Sequence, residues 1–245
     1  KGLVSGYIVG TYKSAFKGRG LEFEQYREYR PDDDASLIDW KASARSDILL
    51  VKEYVEERNL NVFFLVDVSD KMVFGSTDKL KNEYVAELVA SLAYITLQSG
   101  DKVGFAMFSN KPVKVARPDK GMNQFYILAK ELVNPNNYGK EFDFNQAMDF
   151  LLSLLKERSL VIIVSDFIGM KKGWEERLRI ASNKFDIVAM VIKDPRDLTM
   201  PDEDILVVLS DPEKDEQALI NPREIKNEYE KYLREENSKF KEKLT

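Results

Sequence analysis

Cysteine and histidine are both absent from the 245-residue chain. Without cysteine there is no disulfide framework, which fits a reducing compartment. Zinc and haem sites built on His or Cys, and Ser–His or Cys–His nucleophile pairs, are excluded as well. Any catalysis would have to rest on carboxylates, Lys, Tyr, Ser or Thr, or a hard metal ion. A basic excess is also missing. The 37 Lys and Arg stand against 42 Asp and Glu, a net charge of −5, and nothing in that balance points to nucleic acid or anionic lipid. Long apolar runs are lacking too. VFFLV at 62–66, LVIIV at 160–164, IVAMVI at 187–192 and ILVVL at 205–209 stop far short of the roughly 20 residues of a membrane helix. No signal peptide is visible. Neither phosphate-binding glycine pattern occurs, and Lys17-Gly18-Arg19-Gly20 is no substitute, so ATP binding is not expected. These absences lead us to expect a cytoplasmic chain whose segment here touches no membrane and no nucleic acid. Because it begins at Lys1 rather than Met, residues upstream are expected.

What is present is a pattern. With 44% hydrophobic residues the chain has material for a sizeable core. The apolar runs are rich in β-branched residues and bounded by polar turns, as strands of a parallel sheet buried on both faces are. Helical spacing separates them. Val85, Leu88, Val89, Leu92 and Ile95 follow it, and Phe144, Ala147, Met148, Leu151, Leu152 and Leu155 follow it more cleanly. Asp143 with Gln146 has the form of an N-terminal cap and its partner. The expected order is strand 61–67, helix 79–98, strand 102–108, a short strand near 113–116, helices 122–133 and 143–157, strand 159–165, helix 171–183, and strands 186–192 and 204–209. Such alternation means an α/β fold with a doubly wound, mostly parallel sheet. Residues 1–58 form an N-terminal extension. Two extended stretches there flank an Asp-rich middle, and the alternation Leu49, Val51, Glu53, Val55 reads as an antiparallel strand feeding the sheet. Residues 59–210 are the core domain, and 211–245 an appendage whose helix starts at Asn221-Pro222 and carries a stripe of Ile225, Tyr229, Tyr232 and Leu233.

Asp67-Val68-Ser69-Asp70-Lys71 closes the first buried strand, and Asp166 closes another. In a doubly wound sheet, ligands bind at the carboxyl ends of strands near the point where the strand order reverses. Neighbouring strands would bring Asp67 and Asp166 to one rim. Residues 67–71 resemble the Asp-x-Ser-x-Ser of the metal-ion-dependent adhesion site in von Willebrand factor A domains. Asp67, Ser69 and Asp166 match, and the resemblance implies Mg²⁺ on them. Lys71 replaces the second Ser, and the expected loop Thr falls on Phe142. An ammonium at that point repels a dication by several kcal/mol at about 4 Å. The favoured reading is therefore a metal-free rim with no cofactor, in which Lys71 neutralises Asp67 and Asp166. A magnesium-dependent phosphohydrolase with Asp67 as nucleophile is the alternative; its usual Asp-x-Asp reads Asp67-x-Ser69, so the general acid is missing.

A wider resemblance covers nearly the whole chain. Gly10, Ser14, Arg19, Gly20, Glu22, Phe23, Arg27, Tyr29, Pro31, Asp33, Asp34, Ile38, Asp39, Trp40, Ala44 and Arg45 stand in the order of the signature of the domain-of-unknown-function 58 family. Asp32 replaces a turn Gly and Ser36 a usual Arg. The segment from Met200 to Leu233 is similar to that family's closing stretch. The resemblance implies a von Willebrand factor A-like core and a non-enzymatic adaptor that works with a MoxR-type AAA+ ATPase in assembly or chaperone-like roles. Asp67, Ser69, Lys71 and Asp166 are the expected partner-binding rim. Arg27, Asp33, Asp34, Asp39 and Arg45 are expected as a charge-paired network around Trp40. Arg27, Trp40 and Arg45 also suit a docking surface, since Trp and Arg dominate binding hot spots.

Overall fold

A computed structural model of the chain describes residues 5–9, 21–56, 60–202, 204–211 and 216–244. Gly10, Ser14, Arg19 and Gly20 of the signature, and Lys17-Gly18, lie outside the described residues. The chain divides into two compact units, one of Lys1–Lys13 with Leu60–Thr245, the other Ser14–Asn59. Residues 5–9 thus go with the larger unit.

In chain order the elements are β1 (Ser5–Val9), β2 (Leu21–Glu28), α1 (Trp40–Ser46), β3 (Leu50–Glu56), β4 (Asn61–Asp67), α2 (Lys81–Gln98), β5 (Lys102–Phe108) and β6 (Pro112–Asp119). They continue with α3 (Met122–Leu132), α4 (Phe144–Leu154), β7 (Leu160–Ser165), α5 (Trp174–Ser182), β8 (Asp186–Lys193), β9 (Val207–Asp211), β10 (Glu216–Ile220) and α6 (Pro222–Leu244). The larger unit is built on a six-stranded sheet of order β1-β8-β7-β4-β5-β6. Its four inner strands are parallel, and β1 and β6 run antiparallel at the edges.

The expected α/β architecture follows from burial on both sheet faces. Phe64 and Val66 pack with Val85, Val89 and Leu128 on one side. Phe63 and Leu65 pack with Phe144, Met148 and Leu151 on the other. Successive side chains of β4 alternate between the two layers, which is why VFFLV carries no polar residue. The helices start where their caps stand. Asp143 Oδ1 accepts the backbone N–H of Gln146 at 3.0 Å, and Gln146 Nε2 donates to the other oxygen at 3.2 Å, as the spacing suggests. The chain passes from β4 through α2 to β5 on one side, then returns to β7 on the other. The order therefore reverses beside β4, and the carboxyl ends of β4 and β7 meet at the switch point.

Two expectations about strands are corrected. The 204–209 run does not join the central sheet: β9 pairs with β10 in a separate antiparallel hairpin, and Leu206 is 68% exposed. The place beside β8 is already filled by β1, whose Ser5 and Val9 register with Lys193 and Ala189. Likewise β3 pairs with β2 in its own two-stranded sheet and does not feed the central one.

Gly104 shows how tightly β6 lies on β5. A methyl group there would stand 2.7 Å from the backbone nitrogen of Pro118 and 2.8 Å from Cδ2 of Phe63. Neither can retreat without moving a strand. Gly104→Ala is expected to lower stability by about 1–3 kcal/mol in urea unfolding. An unchanged midpoint would contradict the close approach.

Candidate functional site

The rim at the switch point is built by loops that lock onto one another. Val68 N–H donates to the Phe108 carbonyl (3.1 Å), Gly139 N–H to the Val68 carbonyl (2.8 Å) and Asp70 N–H to the Lys140 carbonyl (2.9 Å). This holds Asp67 and Ser69 in fixed positions, both buried. Asp67 Oδ1 accepts the Ser69 N–H at 2.9 Å, and its Oδ2 accepts the hydroxyl of Ser165 at 2.6 Å. Ser165 is the last residue of β7, so the register of β4 and β7 makes this contact. Asp166, next along the chain, turns one oxygen to the Ile168 N–H at 3.0 Å. The structure thus brings Asp67, Ser69 and Asp166 to one rim. The Ser69 hydroxyl is buried and has no hydrogen-bond partner among the described residues.

The second oxygen of Asp166 corrects the expectation for the counter-ion. It accepts from Lys81 Nζ at 2.8 Å, and Lys81 also reaches Asp197 at 3.0 Å. The buried ammonium bound to Asp166 therefore belongs to Lys81, at the first residue of α2, and not to Lys71. Lys71 is half-buried and extends to the loop after β7: a methyl on Gly169 would meet its Nζ at 3.1 Å. The reason lies in helix geometry. Lys81 lies one turn before Val85 and two before Val89, both buried, so its side chain runs inward. A cation at a helix N-terminus opposes the helix dipole and needs a carboxylate to hold it.

Further residues that the sequence reading missed complete a network. Asp197 Oδ2 accepts the Asp194 N–H (2.9 Å). Asp194 in turn accepts the hydroxyl and the N–H of Ser76 (2.6 and 2.8 Å) and the Arg196 N–H (2.8 Å). Lys193 is buried beside this group at the end of β8.

Burial would push the Lys81 ammonium down, but Asp166 and Asp197 outweigh it and its pKa lies above the ordinary lysine value. Burial wins at Lys193, which is held below that value despite Asp166 and Asp197, with Lys81 adding to the depression. Burial, reinforced by the charge of Asp166, raises the Asp67 carboxyl well above the carboxylate range against its hydrogen bonds from Ser165 and Ser69. At Asp194 burial also raises the pKa, yet the bonds from Ser76 and Arg196 overcome it and leave it lowered.

Around the rim, Lys171 pairs with Glu141 and, at 3.3 Å, with Asp143. Phe142, where the adhesion-site resemblance would put a hydroxyl, packs edge-on against Phe108 and Phe144. It offers no donor to an ion. Helix α6 is fastened by Phe240, stacked at 4.6 Å on Phe167 and at 5.5 Å on Trp174, and Leu233 of the expected stripe is buried, whereas Tyr232 is exposed.

The smaller unit also revises its expectation. Arg27 makes a bidentate pair with Asp33, both bonds 2.6 Å, which holds the Asp33 carboxyl at about 2. Asp39 caps α1 by accepting from Lys41 and Ala42, and adds Lys52 and the Tyr26 hydroxyl at 3.0 Å. The Ala42 bond first, then Lys52, hold it at about 2. Asp34 accepts from the Ser36 N–H. These charges do not surround Trp40, which is 67% exposed at the start of α1, and no ion pair of Arg45 occurs among the described residues. Each carboxylate is used locally, in a turn or a cap, so the ring is left outside.

Two outcomes follow from the rim. Lys81→Met strands two carboxylates in a buried setting and is expected to cost about 3–5 kcal/mol, read by urea unfolding; a loss under about 1 kcal/mol would remove Lys81 from the centre of the network. The second concerns Asp67, whose folded pKa exceeds its unfolded one. Below the unfolded value the carboxyl is protonated in both states and costs nothing. Between the two values the unfolded chain ionises first, and stability falls until pH passes the folded value. Asp67→Asn is therefore expected to gain on the parent as pH rises from about 4 through neutrality. Parallel stability curves over that range would contradict the buried, raised carboxyl.

Among the described residues no helix is long and apolar enough to cross a membrane. Solved structures to which this chain is similar include BatB from Bacteroides thetaiotaomicron, at 13% identity over 71% of this chain and 86% of that one, with a TM-score of 0.47. The SpRpn10 VWA domain matches 56% of this chain and 90% of its own, at 11% identity and a TM-score of 0.37. Among curated proteins, the uncharacterized protein Rv1480 of Mycobacterium tuberculosis is 26% identical over 202 residues, which cover 81% of this chain and 63% of that protein. The uncharacterized protein YeaD of Bacillus subtilis is 34% identical over 80 residues, 33% of this chain and 18% of that one. The chain thus spans less than two thirds of the length of these relatives. The family model described as Protein of unknown function DUF58 matches residues 25–239, and this chain belongs to that family.

Proposed function

We propose that the chain is a non-enzymatic interaction module whose rim is a degenerate adhesion site, with the ammonium of Lys81 standing where an ion would otherwise balance the carboxylates. One observation carries this reading: Lys81 Nζ lies 2.8 Å from Asp166 Oδ2 with both side chains buried. A magnesium ion wants a near-octahedral shell of oxygens. Asp166 already spends its oxygens on Lys81 and Ile168, and Phe142 brings a ring instead of a hydroxyl. The orphaned Ser69 hydroxyl alone suits an ion, and the residues present do not fit one. The same engagement counts against a phosphohydrolase. Both oxygens of Asp67 accept hydrogen bonds, and Ser69 takes the place of a general acid.

In place of chemistry, the rim offers a charged, rigid surface. Asp70, Lys71 and Lys140 rise from loops pinned by backbone hydrogen bonds, with Val73 and Phe74 exposed beside them. Fixed charges of both signs next to apolar contacts select a protein partner and set its register. The partner is a MoxR-type AAA+ ATPase, which the family resemblance implies, and the work of the pair is assembly or chaperone-like in the cytoplasm.

Co-purification of the native full-length protein is expected to recover such an ATPase, and Lys71→Glu to lose it. Recovery of no ATPase with the rim intact would overturn the partnership. A screen against phosphate esters with Mg²⁺ is expected to show no turnover; activity that disappears in Asp67→Asn would establish the enzyme instead.

A further inference from the structure

Ile95 shares the helical spacing of Val85, Leu88, Val89 and Leu92, yet it is 60% exposed, and it has company. Tyr94, Tyr126, Val133 and Val73 are exposed too, Val133 to 72%. Between α2 and α3 runs a groove of about 830 Å³. Its floor and far wall are Ala86, Ala90, Ala129, Leu132, Pro135 and Tyr138. Ala90 also lines an adjoining hollow bounded by Tyr94, Ile95 and Phe125, so the apolar surface continues along α2. Tyr94 meets Phe125 edge-on at 5.7 Å, and Phe125 meets Tyr126 at 5.6 Å. An apolar surface of this extent on a polar chain marks a contact site.

Charge identifies the occupant. The side formed by α2 and the loop before it carries Asp78, Glu83 and Glu87 against one cation, Lys79: three negative less one positive leaves −2. Lys79 is itself bound to both oxygens of Glu87 at 2.6 Å. The opposite wall on α3 and beyond, from Ala129 to Tyr138, contributes no charge to the lining. The groove thus has an apolar bed with acid along one side. We propose that it receives an amphipathic helix of a partner protein, apolar on one face and bearing lysine or arginine on the flank that lies against α2. Small side chains in the bed let a helix backbone approach, and helix-in-groove docking uses such a bed. A second copy of this chain would oppose acid to acid across a two-fold contact. An anionic membrane would be repelled by the same wall.

The groove shares only Val73 with the surface proposed above, and its test changes Val133 and Ala90 alone, so either reading survives failure of the other. The test uses the whole chain and a synthetic amphipathic helix with a leucine stripe flanked by lysines, beside the same peptide with glutamates for lysines. The lysine peptide is expected to bind with micromolar affinity, at least about tenfold tighter than the glutamate peptide, and more weakly as salt is added. Val133→Arg, at an exposed position, and Ala90→Arg, in the bed, are each expected to weaken it by about tenfold or more with the melting temperature of Val133→Arg unchanged. Equal binding of the two peptides, or Val133→Arg binding like the parent, would overturn the proposal. So would a concentration-dependent dimer in sedimentation that Val133→Arg abolishes, which would give the groove to a second copy.

Discussion

The rim of this protein depends on one ammonium held between two carboxylates. Lys81 brings α2 to the end of β7 through Asp166 and to the loop after β8 through Asp197. Removing a charge from water costs several kcal/mol, and only close, well-directed partners return it. Four carboxylates, Asp67, Asp166, Asp194 and Asp197, gather with two ammoniums, Lys81 and Lys193, an excess of two negative charges. Burial and the neighbouring Asp166 relieve part of that excess by favouring the protonated form of Asp67. Hydrogen bonds from Ser76 and Arg196 accommodate Asp194 as an anion.

Much of the fold was legible because burial on both sides of a parallel sheet writes itself into the chain as apolar runs. VFFLV, LVIIV and IVAMVI became β4, β7 and β8 with boundaries nearly as read. The run at 205–209 looked the same and is not the same. Local hydrophobicity does not encode which neighbour a strand finds, and the edge beside β8 was taken by β1 from the other end of the sequence. The rim was half legible for a similar reason. Asp67, Ser69 and Asp166 sit at strand ends, where position follows from topology. Lys71 drew notice because it occupies a motif position, whereas the cation at Asp166 comes from another element. A signal for it did exist: Lys81 lies four residues before Val85 and eight before Val89, a charge on an apolar stripe, and such a lysine is buried only when paired. Asp197 and Ser76 belong to loops whose return to the rim no spacing foretells.

The two surfaces described here differ in physical kind. The rim is rigid and charged, fixed by backbone bonds between loops, and it suits recognition by register and sign. The α2–α3 groove is apolar with acid on one wall, and it suits capture of a helix by burial. The smaller unit adds a third element, an exposed Trp40 at the head of a helix capped by Asp39.

The central claim is that Lys81 holds the place of an ion. Crystals soaked in millimolar Mn²⁺ and measured for anomalous scattering test it directly. The account predicts no manganese peak among Asp67, Ser69 and Asp166, with Lys81 Nζ still within hydrogen-bond distance of Asp166. A manganese ion bonded to both aspartates, with the Lys81 side chain displaced, would contradict it.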